Sequence, residues 1–262
     1  MYDIGFLGLG KMGSAIANGI LSKGLYAKGN IAFFAPSEAT KAKGLALGIT
    51  LAADERDLVI RSKLIILAIE PQKYGEVLSK FEGMDFAGKI VVSLAPGKTI
   101  DYLKSTFVGA RIARAMPNTP CLINKGVTTL AFDEGPIDEV IAVFSSVGAY
   151  TVVKEKQIDE AIPLQGSMPA YIFEFVKSFV ECGSTYGIDK EDARKLALNA
   201  IIGSCELALQ RYEDLDVLID SVCSRGGATI AGLTKLRENG FNEAIKSCYE
   251  ACVNRSLELK NN

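Results

Sequence analysis

Three glycines near the start of the chain constrain its fold more than any other feature. They stand at positions 8, 10 and 13 of the stretch Asp3 to Gly13, DIGFLGLGKMG. Ile4, Phe6 and Leu7 form a short apolar run that the first glycine ends, and from Ser14 to Leu21 apolar residues recur at helical spacing. The stretch therefore reads as strand, turn and helix. In that setting Gly8 permits the tight turn, Gly10 lets a pyrophosphate approach the backbone, and Gly13 lets the helix pack close to the strand. The helix N-terminus offers that pyrophosphate unpaired N–H groups and a partial positive charge. Gly8, Leu9, Gly10, Lys11, Met12 and Gly13 are thus the first candidate cofactor-binding residues. The alternative is a glycine turn that serves only the chain's own geometry.

The rest of the first half repeats the pattern. Ile31 to Ala35, Leu64 to Ile69, Ile90 to Ser93, Arg111 to Ala115, Val127 to Ala131 and Tyr150 to Val153 are short apolar runs. Helical stretches from Glu38 to Leu47 and near Ile137 to Val147 separate some of them. Strands alternating with helices imply a largely parallel, doubly wound sheet, which takes its ligands beyond the carboxyl ends of the strands.

After Val153 the periodicity changes. Ile172, Phe175, Val176, Phe179 and Val180 make the apolar stripe of one helix starting near Pro169. From Asp189 to Leu209 the apolar residues Leu196, Ala197, Leu198, Ala200, Ile201, Ile202, Cys205 and Leu209 no longer form a single stripe. A helix apolar nearly all round must be covered nearly all round. Further helical patterns run from Thr229 to Arg237 and from Asn242 to Leu259. The expected division is a dinucleotide-binding domain over residues 1–153 and an all-helical domain over 154–262. So small a helical domain does not easily bury such a helix by itself, so a second copy of the chain, in a homodimer or a multimer of dimers, is the expected cover. A central helix within one compact bundle is the alternative.

Charge narrows the partners. With 29 basic and 31 acidic residues the net charge is -2, which gives no field to recruit nucleic acid or an anionic membrane. A small-molecule substrate is the expected partner. The six cysteines are scattered and the chain has no histidine, so no zinc site is expected, and free thiols fit a reducing, cytoplasmic location. An apolar strand follows Met1 at once, so no secretory leader is expected, and no apolar run is long enough to span a bilayer.

Where NAD-selective folds of this kind carry an acidic residue at the end of the second strand, this chain has Ala35, Pro36 and Ser37. No carboxylate at the tip would repel a 2′-phosphate, and Ser37, Thr40, Lys41 and Lys43 are close in sequence. NADP(H) is therefore the expected cofactor, with NAD(H) as the alternative through Glu38.

Three more stretches carry chemistry: Arg114 to Pro120, RAMPNTP; Gln165 to Phe173, QGSMPAYIF; and Ser224 to Leu233, SRGGATIAGL. Gly226 and Gly227 precede a helical pattern, so their N–H groups can form a nest for a carboxylate, with the Thr229 hydroxyl beside it. The same residues also suit an ordinary helix cap. In this order, together with the N-terminal glycines, the stretches resemble the pyrroline-5-carboxylate reductase family over essentially the whole chain. The resemblance implies an N-terminal Rossmann-type α/β domain, an all-helical dimerisation domain, and hydride delivery from NAD(P)H to a cyclic imine carbon, giving L-proline. It places Met116, Pro117, Asn118 and Thr119 on the nicotinamide side, and identifies Ala68 to Gln72, AIEPQ, with Glu70 and Pro71, as a cofactor-contacting loop. It implies that Ser224, Gly226, Gly227 and Thr229 hold the substrate; by their own chemistry Arg225 joins them and Thr229 offers the catalytic hydroxyl.

An imine suits a chain without histidine, because its nitrogen is basic enough to arrive protonated and needs only orientation. Four residues depart from the family pattern: Glu70 replaces lysine, Gln165 replaces serine, Met168 replaces glycine and Arg225 replaces proline. Met168 adds bulk that would narrow the substrate range, and Arg225 adds a fork-shaped carboxylate donor. The alternatives are a reductase of another cyclic imine, a β-hydroxyacid dehydrogenase with Lys177 as its only candidate lysine, and a nucleotide-binding regulatory protein that has lost turnover.

Overall fold

The seven apolar runs of the first half become strands, and Thr50–Leu51 adds an eighth. In the computed structural model, which describes residues 1–211 and 213–260, β1 (Tyr2–Leu7) leads through α1 (Lys11–Ser22) to β2 (Ile31–Phe34), α2 (Glu38–Leu47), β3 (Thr50–Leu51), α3 (Glu55–Arg61) and β4 (Ser62–Leu67). Next come α4 (Tyr74–Leu78), β5 (Ile90–Ser93), α5 (Ile100–Thr106), β6 (Arg111–Pro117), β7 (Gly126–Phe132), α6 (Asp138–Ser145), β8 (Gly148–Val152) and α7 (Glu155–Glu160). They form one sheet in the order β3-β2-β1-β4-β5-β6-β7-β8. This is the doubly wound, Rossmann-type arrangement that the alternation implies, with the order reversing between β1 and β4.

Every neighbouring pair of strands is parallel except β6 with β7, where Met116 faces Thr129. The connection from Asn118 to Lys125 is too short to carry a crossover helix, so β7 must run back along β6. Helices cover both faces. Ile4, Phe6, Leu64 and Ile66 pack under α1 and α6 in one core, and Ile65 and Leu67 join Leu58, Tyr74, Leu103 and Phe107 in the other. Strand residues that alternate between two buried faces are mostly apolar on both, which is why residues 64–67 and 90–92 run without a polar interruption.

The second half is helical throughout: α8 (Met168–Thr185), α9 (Lys190–Arg211), α10 (Leu215–Val222), α11 (Ala228–Glu238) and α12 (Phe241–Lys260). The chain divides into two compact units, one of residues Met1–Pro169 joined by the chain from Cys252, the other Ala170–Ala251. By packing, the sheet unit extends to Pro169. The physical reason is polar: the buried Arg114 on β6 reaches Glu155 and Asp159 of α7, and the Asn118 side chain donates to the Gln165 carbonyl. In the helical unit burial is sparse. Val176 is the buried residue of α8 and Ala193 that of α9, while Phe173, Phe179, Leu196, Ile202 and Leu209 stay exposed in the single chain. An apolar groove of about 420 Å3 lies between α8 and α9.

Candidate functional site

The glycine turn takes the form its spacing demands. Gly8 adopts a φ of 90° and donates its N–H to the Phe34 carbonyl at 2.8 Å. A Cβ there would stand 2.6 Å from the Ala68 carbonyl oxygen, and one at Gly13 would stand 3.0 Å from the Gly8 oxygen, so both positions need glycine for the chain's own packing. Gly10 is different. Its φ is -67° and no protein atom lies within 4 Å of where its Cβ would be. Nothing in the protein asks for glycine at position 10, as expected of a residue kept small for a ligand.

Gly10 is also the N-cap of α1, and no side chain caps that helix. The first backbone bond of the helix runs from Ser14 N–H to the Gly10 carbonyl at 2.9 Å, so the N–H groups of Lys11, Met12 and Gly13 precede it without an intrahelical acceptor. In front lies a cleft of about 570 Å3, bordered by Gly8, Leu9, Gly10, Ser37, Ala68 and Glu70 among the expected cofactor residues. Pro71 opens the short 3₁₀ turn that follows Glu70. The donors, the open glycine and the cleft together fit a pyrophosphate.

The tip of β2 carries no acidic side chain in the cleft. Ser37 caps α2, accepting from Thr40 N–H at 3.3 Å and donating to Thr40 Oγ1 at 2.8 Å. Glu38, the alternative partner for ribose hydroxyls, is paired instead with Lys41 at 2.7 Å. The cleft wall also holds ion pairs. Lys80 is 2.7 Å from Glu55, and Lys73 is 3.6 Å from Glu70. The hydrogen bond that Lys80 donates to Glu55 is the main cause of a raised Lys80 pKa. Glu55 and Lys80 reach the cleft only through tertiary folding, whereas Glu70 belongs to the AIEPQ stretch and Lys73 follows it directly. Behind the cleft, buried Tyr74 joins the ends of two strands: its hydroxyl donates to the Leu67 carbonyl at 3.2 Å and pairs with Ser93 Oγ at 2.9 Å. Burial, above all, pushes the Tyr74 phenol well above its ordinary pKa.

At the carboxyl end of β6, Met116 is half-buried, Pro117 and Asn118 are buried and Thr119 is exposed. The Asn118 amide is fully engaged, donating to the Gln165 carbonyl at 2.9 Å and accepting from Val127 N–H at 2.8 Å. Its side chain therefore shapes the turn and pins Gln165 to it.

In the helical unit, Ser224 to Gly227 form a turn closed by Gly227 N–H to the Ser224 carbonyl at 3.0 Å, with Gly226 at a φ of 69°. Two sequence readings change here. Gly227 N–H is spent inside the turn, so the N–H groups left without an intrahelical acceptor at this end are those of Ala228, Thr229 and Ile230. Gly227, not Ser or Thr, is the N-cap, and no side chain caps the helix. Thr229 sits one residue inside α11, exposed, with its hydroxyl free of any hydrogen bond to a described residue. The helix-cap explanation of this threonine is thereby removed. Arg225 is exposed beside it.

The whole chain has close counterparts. Residues 155–259 match the family described as pyrroline-5-carboxylate reductase dimerisation, and residues 3–97 the family described as NADP oxidoreductase, coenzyme F420-dependent. The pyrroline-5-carboxylate reductase of Escherichia coli (strain K12) is 34% identical over 263 residues, covering 98% of this chain and 97% of the relative. A solved pyrroline-5-carboxylate reductase from Coxiella burnetii superposes with a TM-score of 0.88 at 28% identity, covering 98% of each chain. A Plasmodium falciparum pyrroline carboxylate reductase with NADP bound gives a TM-score of 0.85 at 29% identity, covering 97% of each. A cleft built for a dinucleotide, an end-to-end match in sequence and a shared helical second half lead to one conclusion: the chain belongs to the pyrroline-5-carboxylate reductase family.

Proposed function

We propose that the chain reduces 1-pyrroline-5-carboxylate to L-proline with NADPH. The observation that carries this reading is the uncapped first turn of α1 behind an open Gly10, in a cleft that reaches a strand tip without a carboxylate. The Lys11, Met12 and Gly13 amides hold the pyrophosphate, and Ser37 with Thr40 receives the 2′-phosphate. The cofactor, when bound, supplies the hydride. Met116, Pro117 and Asn118 border its nicotinamide half, with Asn118 acting through the shape of the turn it ties.

Ser224 and Arg225 hold the substrate carboxylate at the N-terminus of α11, where the turn made by Gly226 and Gly227 leaves the first-turn N–H groups unpaired and the helix dipole favours an anion. Thr229 orients the ring nitrogen through its free hydroxyl as the imine becomes an amine. No general acid is required, because the iminium arrives with its proton. The exposed apolar residues of α8 and α9 are covered by a second copy of the chain, so the working form is a homodimer or a multiple of it.

Initial rates with NADPH and NADH on a panel of five- and six-membered cyclic imine carboxylates test the proposal. The fastest turnover is expected with 1-pyrroline-5-carboxylate and NADPH. Faster turnover of a six-membered imine would transfer the assignment to a related reductase, consistent with Met168 reshaping the substrate pocket. NADPH binding without imine-dependent oxidation would leave only a regulatory role.

A further inference from the structure

Gln165 is a buried glutamine whose side chain has nothing to bind. The residue is 5% exposed, and neither Nε2 nor Oε1 has a hydrogen-bond partner among the described residues. Buried amides are almost always paired, because an unpaired one forfeits its hydration for no return. The side chain is also long for its place, since the family pattern has a small serine there. An unpaired polar group retained at such a position points to a ligand.

Its location limits which ligand. The Gln165 carbonyl accepts from Asn118 Nδ2 at 2.9 Å, which fixes the residue against the turn that leaves β6. Since β6 runs parallel to β5, and β5 to β4, that turn lies at the same carboxyl edge as the Gly8 and Ala68 turns. Folds of this kind divide the edge in two, one mononucleotide to each half. The tip of β2 with Ser37 marks the adenosine half, so the nicotinamide half falls to β4, β5 and β6.

Chemistry then selects the group. A glutamine amide presents a donor and an acceptor side by side. The substrate's carboxylate and iminium N–H are adjacent and would also pair both ends of the amide, but in the proposed complex they are held at the first turn of α11 and at Thr229. A primary carboxamide offers a donor and an acceptor in the complementary order. We propose that the side-chain amide of Gln165 reads the carboxamide of the nicotinamide ring through two antiparallel hydrogen bonds, a specificity contact that this chain adds to the family pattern. It rests on the dinucleotide reading of the cleft given above.

The test is calorimetric titration of the full chain with NADPH and with its 3-acetylpyridine analogue, in which a methyl group replaces the carboxamide nitrogen. Gln165→Met keeps the length and removes the amide; Gln165→Ser restores the shorter side chain of the pattern and carries the test if the methionine variant does not fold. Both variants should bind NADPH about tenfold or more weakly than the wild type, the loss expected for two modest hydrogen bonds. The preference for NADPH over the analogue should shrink about five- to tenfold in both, because the variants no longer sense the missing N–H. An unchanged preference in folded variants would overturn the proposal while leaving the cofactor site standing. Failure of the wild type to bind either nucleotide would overturn the cofactor reading, and this proposal with it.

Discussion

Arg114 Nη1 stands 3.2 Å from Glu155 Oε1, and the same carboxylate oxygen accepts from the Ile100 N–H at 2.7 Å. A second carboxylate of α7, on Asp159, lies 3.5 Å from Nη2. A guanidinium 1% exposed thus ties one short helix to a central strand and to the first turn of α5. Ile100 is the first residue of α5, so Glu155 also lies where the helix dipole favours a negative charge.

Removing that guanidinium should be severe. Arg114→Met would strip a buried cation from two carboxylates, and a cost of about 3–5 kcal/mol is expected in urea unfolding. Glu155→Gln keeps a hydrogen-bond acceptor for both partners and should cost less, about 1–2 kcal/mol. A loss below about 1 kcal/mol for Arg114→Met would mean that the cluster does not hold α7.

The glycines of the first turn should fail in different observables. Gly8→Ala forces a side chain onto a φ of 90° and against the Ala68 carbonyl, so it should unfold or strongly destabilise the sheet unit. Gly10→Ala meets no protein atom, so its stability should stay within about 1 kcal/mol of the wild type. NADPH affinity of the same variant should fall about tenfold or more, as the methyl enters the space meant for pyrophosphate. Wild-type affinity in Gly10→Ala would remove this glycine from the cofactor site.

Much of this architecture can be read directly from residue order. The strand Ile90–Ser93 and the helix Glu38–Leu47 have the bounds their patterns predict. Other parts are hidden for identifiable reasons. Thr50–Leu51 is too short to show alternation, and the helices over Glu55–Arg61, Tyr74–Leu78, Ile100–Thr106 and Leu215–Val222 have eight residues or fewer, too little for a clear stripe. The reversal of β7 could have been inferred, because eight residues between strands cannot carry a crossover. The site divides similarly. Gly8 and Gly13 act as their spacing indicates, whereas Glu55 and Lys80 become neighbours of the cleft only through tertiary folding. The locking of Asn118 to Gln165 spans 47 residues and leaves no local trace.

Assembly should depend on residues that a single chain leaves uncovered. Ile202 is 54% and Leu209 71% exposed, so Ile202→Asp or Leu209→Asp places a charge where the lone subunit can tolerate it but a packed interface cannot. Sedimentation should show the wild type as a dimer or larger at micromolar concentration, and these variants as monomers that retain helical circular dichroism. A monomeric wild type would show that these helices need no partner.

Thr229 offers a clean separation of roles. It does not cap α11, so Thr229→Val should leave the thermal midpoint almost unchanged, within about 0.5 kcal/mol. Turnover should suffer instead, with kcat/KM falling about tenfold to a few hundredfold while NADPH affinity holds. Near wild-type kcat/KM would leave Arg225 and the first turn of α11 to hold the substrate without help from this hydroxyl.

The most direct measurement follows the transferred hydrogen itself. NADPH carrying deuterium at both nicotinamide C4 positions is incubated with 1-pyrroline-5-carboxylate and the wild-type chain, and the product is examined by NMR and mass spectrometry. The expected result is L-proline carrying one deuterium at ring carbon 5, formed in step with NADPH oxidation. NADPH that binds but is not consumed, or product without deuterium at that carbon, would contradict the assignment of this chain as the reductase.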